Sequence, residues 1–479
     1  MFREMSDAVA AIRPSDSLGV PLGPGVPGGF LHALGERDDF ERLEVFGALL
    51  PDLYQVFMRH GVHYRSGFFG PAERFLRDSG AAIDFVPADF RRFEPVLHHL
   101  APRVMATAAA MPVDGTVSLS VHAGATVDEL HRAGADPDRL LIVECSPHFP
   151  HTHGLEPEHT HRLRLDEIDI LIETDRRPLD LADAPASDAE RQIAEHALRF
   201  ITNGSTLQTG IGGIPSQIAT LLAEGPHGDF GVHSEMFTTG LMRLHLAGKV
   251  TNRKGTAFDG MSITTFAAGT PDLYEWLHEN REVRFLPVRV VNSPERIARN
   301  RDMVSINGAM AVDLSGQVVA DNILGKQFSG VGGHEDFVSG PGLSASGRSL
   351  ICLPSTSVVG GSTVSRIVAS LPTGSVVSTP RHQVDVIITE FGVAELHGRA
   401  TANKLVLFGF IPLLVSILLT LIVLALPAAG EMGADRLAAF NTMMGATPWI
   451  WLGAALCAIG GFVSLSDRRL RVGAPLRAS

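Results

Sequence analysis

The chain runs to 479 residues, more than one ordinary domain needs, so two or more folded units are expected. Hydrophobic residues make up 45% and charged ones 19%, a globular composition with an apolar supplement. The net charge of −12, from 52 acidic and 40 basic side chains, argues against nucleic acid as a partner.

The start, MFREMSDAVAAIRPSD, has neither an apolar core nor a cleavage site, so no signal peptide is expected. A first domain is read over residues 1–180, where short apolar runs alternate with helical patterns. Leu43 to Leu50, Ala82 to Val86, Thr116 to Val121 and Leu140 to Val143 read as strands. Phe30 to Leu34, Pro71 to Asp78 and Val127 to Ala133 read as helices, and the glycine-proline run Gly23 to Gly29 as a loop feeding the first. Such alternation predicts an α/β domain with a mainly parallel sheet.

His148, His151, His153, His159 and His161 then crowd one stretch. Pro147, Pro150, Gly154 and Pro157 break it, so no i, i+4 pair sits on a helix, and a solvated loop without metal is expected. Cys145, Cys352 and Cys457 lie far apart, which suits a reducing compartment and gives no disulfide or metal framework. The charged, Pro- and Ala-rich residues 176–192 read as a linker, bounded at about 181–195, with a helix from Ile193 to Phe200. A second α/β domain is read over 196–400.

Its central stretch is Gly204 to Gly240. Ser205 to Thr209 is short and β-prone, and Gly210, Gly212 and Gly213 let the backbone bend and bare its N–H groups. Pro215 suits the first helical position, and Ile218, Leu221 and Leu222 recur at helical spacing. A turn of this kind offers N–H donors to an anion or a polarised carbonyl. It is not the dinucleotide fingerprint, because Pro215 stands where the third glycine belongs. Gly231 to Met236 reads as a short strand presenting Glu235 on a loop. Further on, Val283 to Val291, Ser375 to Ser378 and Val384 to Thr389 read as strands, and Pro271 to His278 and Pro294 to Asn300 as helices. Glycine clusters at Ser329 to Phe337 and Gly360 to Thr363 mark places of close backbone approach.

The chemistry changes after Ala400. Leu405 to Leu426 is a 22-residue run without a charge, long enough to cross a hydrocarbon core of about 30 Å. Thr447 to Ser466 is a second uncharged run, with Trp449 and Trp451 as interfacial anchors. Together they predict a transmembrane helical hairpin. Residues 401–479 carry six basic and three acidic side chains, a net +3 that leaves −15 on the rest. Arg399 and Lys404 before the hairpin, and Arg468, Arg469, Arg471 and Arg477 after it, put both ends in the cytoplasm. The catalytic domains are then expected on the cytoplasmic face of the inner membrane.

Several ordered motifs carry a resemblance. They are VECSPHFPHTHG at 143–154, TLQTGIGGIP at 206–215, GVHSEM at 231–236, SINGAMAVDLSGQV at 305–318, SGVGGHEDFVSG at 329–340, TVSRIV at 363–368 and VDVIITEFGVAELHGRA at 384–400. On these, residues from about 10 to 400 resemble the acetyl-CoA hydrolase/transferase family, which includes 4-hydroxybutyrate and acetate CoA-transferases. The resemblance implies two similar open α/β domains with the active site between them, and a glutamate that forms a thioester with coenzyme A. By motif that glutamate is Glu235. It further implies that Gly210, Ile211, Gly212, Gly213 and Ile214, with the Gly330, Gly332 and Gly333 turn and Asn307, line the CoA path. A departure from the family pattern is Ala311, where an acidic residue is common. The tail, from Thr447 onward, resembles the C-terminal end of the membrane haem-lyase proteins of cytochrome c maturation.

The chemistry expected is ping-pong exchange of CoA between an acyl-CoA and a small carboxylic acid, with no metal. The N–H groups of Gly212 and Gly213 are the candidate oxyanion donors, and His233 a candidate orienting group for Glu235. The alternatives are an acyl-CoA hydrolase, in which water meets the intermediate, and an inactive membrane-anchored fusion or binding protein. A homodimer is compatible with each.

Overall fold

The computed structural model describes residues 1–398 except 183, 184, 257 and 345. The hairpin expected at 405–426 and 447–466 lies outside them, as does Cys457. Among the described residues no helix is long and apolar enough to cross a membrane.

The first lobe is a seven-stranded parallel sheet. Its strands are β1 (Ser15–Leu22), β2 (Arg42–Ala48), β3 (Val62–Ser66), β4 (Ile83–Phe85), β5 (Val104–Ala110), β6 (Leu140–Ser146) and β7 (Ile170–Glu173). Their spatial order is β4-β3-β2-β1-β5-β6-β7. The second lobe holds β8 (Thr206–Thr209), β9 (Gly231–Val232), β10 (Met303–Gly308), β11 (Arg348–Cys352), β12 (Val386–Thr389) and β13 (Gly392–Glu395). Their order is β9-β8-β10-β11-β12-β13, parallel except for the last hairpin. In each sheet the chain starts centrally, builds outward on one side and then crosses to the other. The crossings lie between β1 and β5 and between β8 and β10, which are the switch points where ligands bind in such folds.

Both faces of each sheet are covered, as parallel sheets require. On β5, Val104 and Ala106 face one core with Leu18, Val45 and Tyr64, while Met105 faces a second. That second core runs on through Phe266 and Leu207 to Val304 and Leu350, so one apolar layer joins the lobes.

Several segments depart from the sequence reading, each for a local reason. The linker ends early, because Ser187 caps a helix α1 (Asp188–Ala197). Ser187 Oγ accepts the Glu190 N–H at 3.3 Å, and Glu190 Oε2 accepts the Ser187 N–H at 2.8 Å. The strand expected through Val121 stops at Ser118, since Ser120 adopts φ +58°. Val283 to Val291 is not one strand: it breaks after Phe285, and Pro287 opens a short helix from Val288 to Val291. Ser375 to Ser378 makes no strand either, because Val376 is held on both sides by the side chain of Asn322. The histidine segment is not a solvated loop. His153 and His161 are buried between the lobes, with His161 stacked on Phe285 at 5.2 Å and its Nε2 2.8 Å from Ser120 O.

Candidate active site

The glycine turn follows β8 directly. Gly212 takes φ +117° and ψ 175°, a conformation that side-chain-bearing residues avoid, and caps helix α2 (Gly213–Glu224). The helix therefore starts at Gly213, and Pro215 stands third rather than first. It is tolerated there because first-turn N–H groups need no intrahelical partner. Ile211 is exposed and Ile214 turns into the core. A cavity of about 200 Å³ lies over this turn, walled by Ile211, Gly212, Gly213 and, from the end of β10, Asn307. Asn307 Nδ2 is buried there without a partner. A second cavity of about 220 Å³ runs along Gly210 to Gly213 toward Thr238 and Gly240.

Glu235 sits one strand over. The segment read as a single strand divides at this residue. Gly231 and Val232 pair with β8, whereas Met236 and Phe237 pair with Phe266 and Ala267 in a separate two-stranded piece. The bend is fixed from both sides. Glu235 O accepts the Thr265 N–H at 3.0 Å and the Thr264 hydroxyl at 2.9 Å. Ser234 Oγ accepts the Thr209 N–H at 3.4 Å, which ties the glutamate's bend to the residue before the glycine turn.

The carboxylate itself points to the third glycine cluster. Its donors are Asn292 Nδ2, 2.6 Å from Oε2, and the N–H of Gly333. Gly333 caps helix α3 (His334–Gly342), so the acid lies at the positive end of that helix. A Cβ added at Gly333 would fall 1.8 Å from Glu235 Oε2, so glycine is required for this approach. Burial pushes the Glu235 pKa up to about 7, although Asn292 and the Gly333 N–H pull it down.

Asn292 Nδ2 also donates to Asp336 Oδ2 at 2.9 Å. Asp336 is fully buried, and its other oxygen receives Arg91 from the first lobe. Burial pushes the Asp336 pKa up to about 8, against the pull of Asn292 and Arg91. Next to Arg91, Phe90 donates its N–H to Gly332 O at 2.8 Å, and Phe68 packs on Gly330 and Gly332. Two lobes therefore meet around one partly buried acid.

The residues singled out in the sequence thus form two groups. Gly210 to Ile214 lie along two adjoining cavities, one of which Asn307 also lines, while Gly332 and Gly333 approach Glu235 and Gly330 packs on Phe68. The donors to the carboxylate are Gly333 and Asn292, not Gly212 or Gly213. His233 does not orient it: the ring is buried, with Nε2 2.7 Å from Val291 O and Nδ1 2.7 Å from Asn300 Nδ2. Sequence reasoning missed Asn292, Asp336 and Arg91. Asp336 lay inside a quoted glycine motif, but neither of the others carries a local signal.

Residues 269–407 match the family model described as acetyl-CoA hydrolase/transferase C-terminal domain. Residues 386–464 match one described as putative vitamin uptake transporter. The succinyl-CoA:cyclohexane-1-carboxylate CoA transferase of Geobacter metallireducens is 32% identical over 407 residues, covering 83% of this chain and 89% of that protein. The 4-hydroxybutyrate coenzyme A transferase of Clostridium kluyveri is 33% identical over 396 residues, 78% of this chain and 88% of that one. Among solved structures, RipA from Yersinia pestis superimposes with a TM-score of 0.76 at 28% identity, over 84% of this chain and 92% of its own.

Proposed function

This chain belongs to the acetyl-CoA hydrolase/transferase family, and from that premise we propose that it transfers coenzyme A between an acyl-CoA and a small carboxylate through a thioester on Glu235. The observation that carries the assignment is the Glu235 carboxylate itself, half-buried between the lobes with the Asn292 side chain on Oε2 and the Gly333 N–H beside the group.

Glu235 attacks the acyl-CoA carbonyl, the C–S bond breaks, and an acyl-glutamyl anhydride forms with free CoA thiolate. The thiolate attacks the glutamyl carbonyl of that anhydride, releasing the first acid and leaving glutamyl-CoA. An incoming carboxylate attacks this thioester and expels the thiolate again. The thiolate then takes the acyl carbonyl of the new anhydride, giving a new acyl-CoA and the original carboxylate. When the glutamyl carbon becomes tetrahedral, negative charge develops on its oxygen, with Asn292 Nδ2 and the Gly333 N–H at hand as donors. Losing one such donor costs about 3 kcal/mol of transition-state stabilisation. Gly212 and Gly213 serve the CoA path: their turn is open, and the unpartnered Asn307 Nδ2 offers a hydrogen bond to an amide or phosphate oxygen.

Two assays test this reading. Glu235→Gln is expected to reduce CoA transfer by at least about a thousandfold, and full activity in that variant would remove the assignment. Omitting the acceptor acid separates transferase from hydrolase: a transferase stops after one equivalent of acid is released, whereas a hydrolase continues to release thiol.

We also propose that residues 405–426 and 447–466 anchor the enzyme to the inner membrane with its lobes in the cytoplasm. Their uncharged lengths and the transporter-model match support this. Retention in alkaline-washed membranes is the expected result; release into the supernatant would refute it.

A further inference from the structure

His233 makes no contact with the Glu235 carboxylate, yet its ring meets both segments that supply that carboxylate with a donor. It follows β9 directly, and its N–H is tied to Leu207 O of β8 at 3.1 Å. Nε2 lies 2.7 Å from the O of Val291, the last residue of the short helix Val288–Val291 and the one before Asn292. A terminal carbonyl of this kind lacks a partner in its own helix, so the imidazole supplies one. Nδ1 lies 2.7 Å from Asn300 Nδ2, just beyond the next short helix, Pro294–Ile297. The ring thus braces both ends of the bend that carries Asn292. Phe337 of α3 packs on it edge to face at 6.0 Å, and α3 is the helix that Gly333 caps.

The ring's partners fix its proton. Asn300 Nδ2 also donates to Ile297 O at 2.9 Å, so the amide nitrogen, not the amide oxygen, faces the imidazole. Nδ1 therefore accepts, the proton sits on Nε2, and Nε2–H donates to Val291 O. The ring is fully buried, with Phe258 at 6.4 Å on another side. Burial, with the cations Lys254 and Arg296 nearby, pushes the His233 pKa down to about 4, so the ring is neutral at pH 7.

Asn292 depends on this brace. Its Nδ2 divides two protons between Glu235 Oε2 at 2.6 Å and Asp336 Oδ2 at 2.9 Å, while its Oδ1 is buried with no partner. No third group holds the amide, so its place is set from the backbone at Val291 and Asn292. We propose that His233 is a positioning residue, which holds Asn292 at hydrogen-bond distance from the Glu235 carboxylate through Val291 O. The proposal rests on the reading of Glu235 as the nucleophile, and its test separates the two.

The test is a double-mutant cycle on the full-length protein. Transfer from propionyl-, butyryl- or succinyl-CoA to acetate is followed, with the thioester turned over fastest, and kcat, KM and the acid limb of kcat/KM are measured. His233→Phe keeps a ring and removes both hydrogen bonds. It is expected to lower kcat about tenfold, with KM within about twofold. Its acid limb should move to higher pH, because Asn292 then meets Glu235 less closely. His233→Gln returns an amide N–H to the place of Nε2–H and is expected to retain kcat within about threefold. In an Asn292→Leu background, His233→Phe is expected to cost less than about twofold more, since its route to Glu235 is already cut. Should His233→Phe not fold, His233→Asn takes its place in the cycle, because its shorter amide reaches Asn300 but not Val291 O. An equal cost in both backgrounds, or an acid limb that stays in place, means a histidine that only supports the fold and overturns the proposal. Full activity in Glu235→Gln, or no transfer from any of the three thioesters, would instead remove the reading beneath it.

Discussion

Glu235 combines two demands that oppose each other. A nucleophile must be ionised, yet burial disfavours its charge and raises its pKa to about 7. Asn292 and the Gly333 N–H offset part of that cost. The acid limb of kcat/KM should therefore fall tenfold per pH unit below about 7, as the carboxylate takes a proton. Asn292→Leu removes a group that lowers the pKa, so the limb should move to higher pH and the plateau should fall; a limb that stayed in place would show that Asn292 does not act on this acid. The sign for stability is opposite to that of an ion-paired carboxylate. The folded state holds the proton more tightly than the unfolded chain, so this group's contribution to stability declines as pH rises from about 4.5 toward 7. Glu235→Gln should accordingly raise Tm above pH 7.

At the scale of elements, two glycine turns and their helices do the positioning. Gly212→Ala is expected to cost about 1–3 kcal/mol of stability, because φ +117° is closed to a residue with a Cβ. Urea denaturation measures it, and a cost near zero would mean that the turn relaxes. These turns were legible in the sequence, since glycines next to an apolar helical period have few other uses. So were the helices at Pro71 and Pro271, and the GVHSEM motif singled out the residue, Glu235, that the structure places at the joint between the lobes. What stayed hidden has physical causes. β1 contains Gly19 and Pro21 and shifts register between Gly19 and Leu22, while β5 is mostly alanine and small because it is buried on both faces. Neither shows the β-branched alternation that marks a half-buried strand. Asn292 and Arg91 are joined to Glu235 through tertiary contacts between distant segments, which no local pattern records. The histidines at 153 and 161 misled because proline-rich spacing suggested a loop, whereas the lobes close over it.

For the whole molecule, the joint between the lobes is what completes the site. Arg91 reaches from the first lobe to the buried Asp336, which shares Asn292 with Glu235. Arg91→Ala leaves Asp336 buried without its cation, and kcat should fall more than KM rises, because the damage reaches the proposed nucleophile and not the proposed CoA path. Arg91→Lys should restore part of the loss; equal defects in the two variants, confined to KM, would place Arg91 in substrate binding instead. Each lobe contributes a sheet with its own switch point, and the acid lies where the two lobes meet. That account turns on one covalent bond. Incubating the protein with acyl-CoA alone, reducing with borohydride and mapping the modified peptide by mass spectrometry tests it most directly: reduction of a glutamyl thioester to the alcohol at Glu235 is the result predicted, and turnover with position 235 unmodified, or a thioester on another residue, would contradict it.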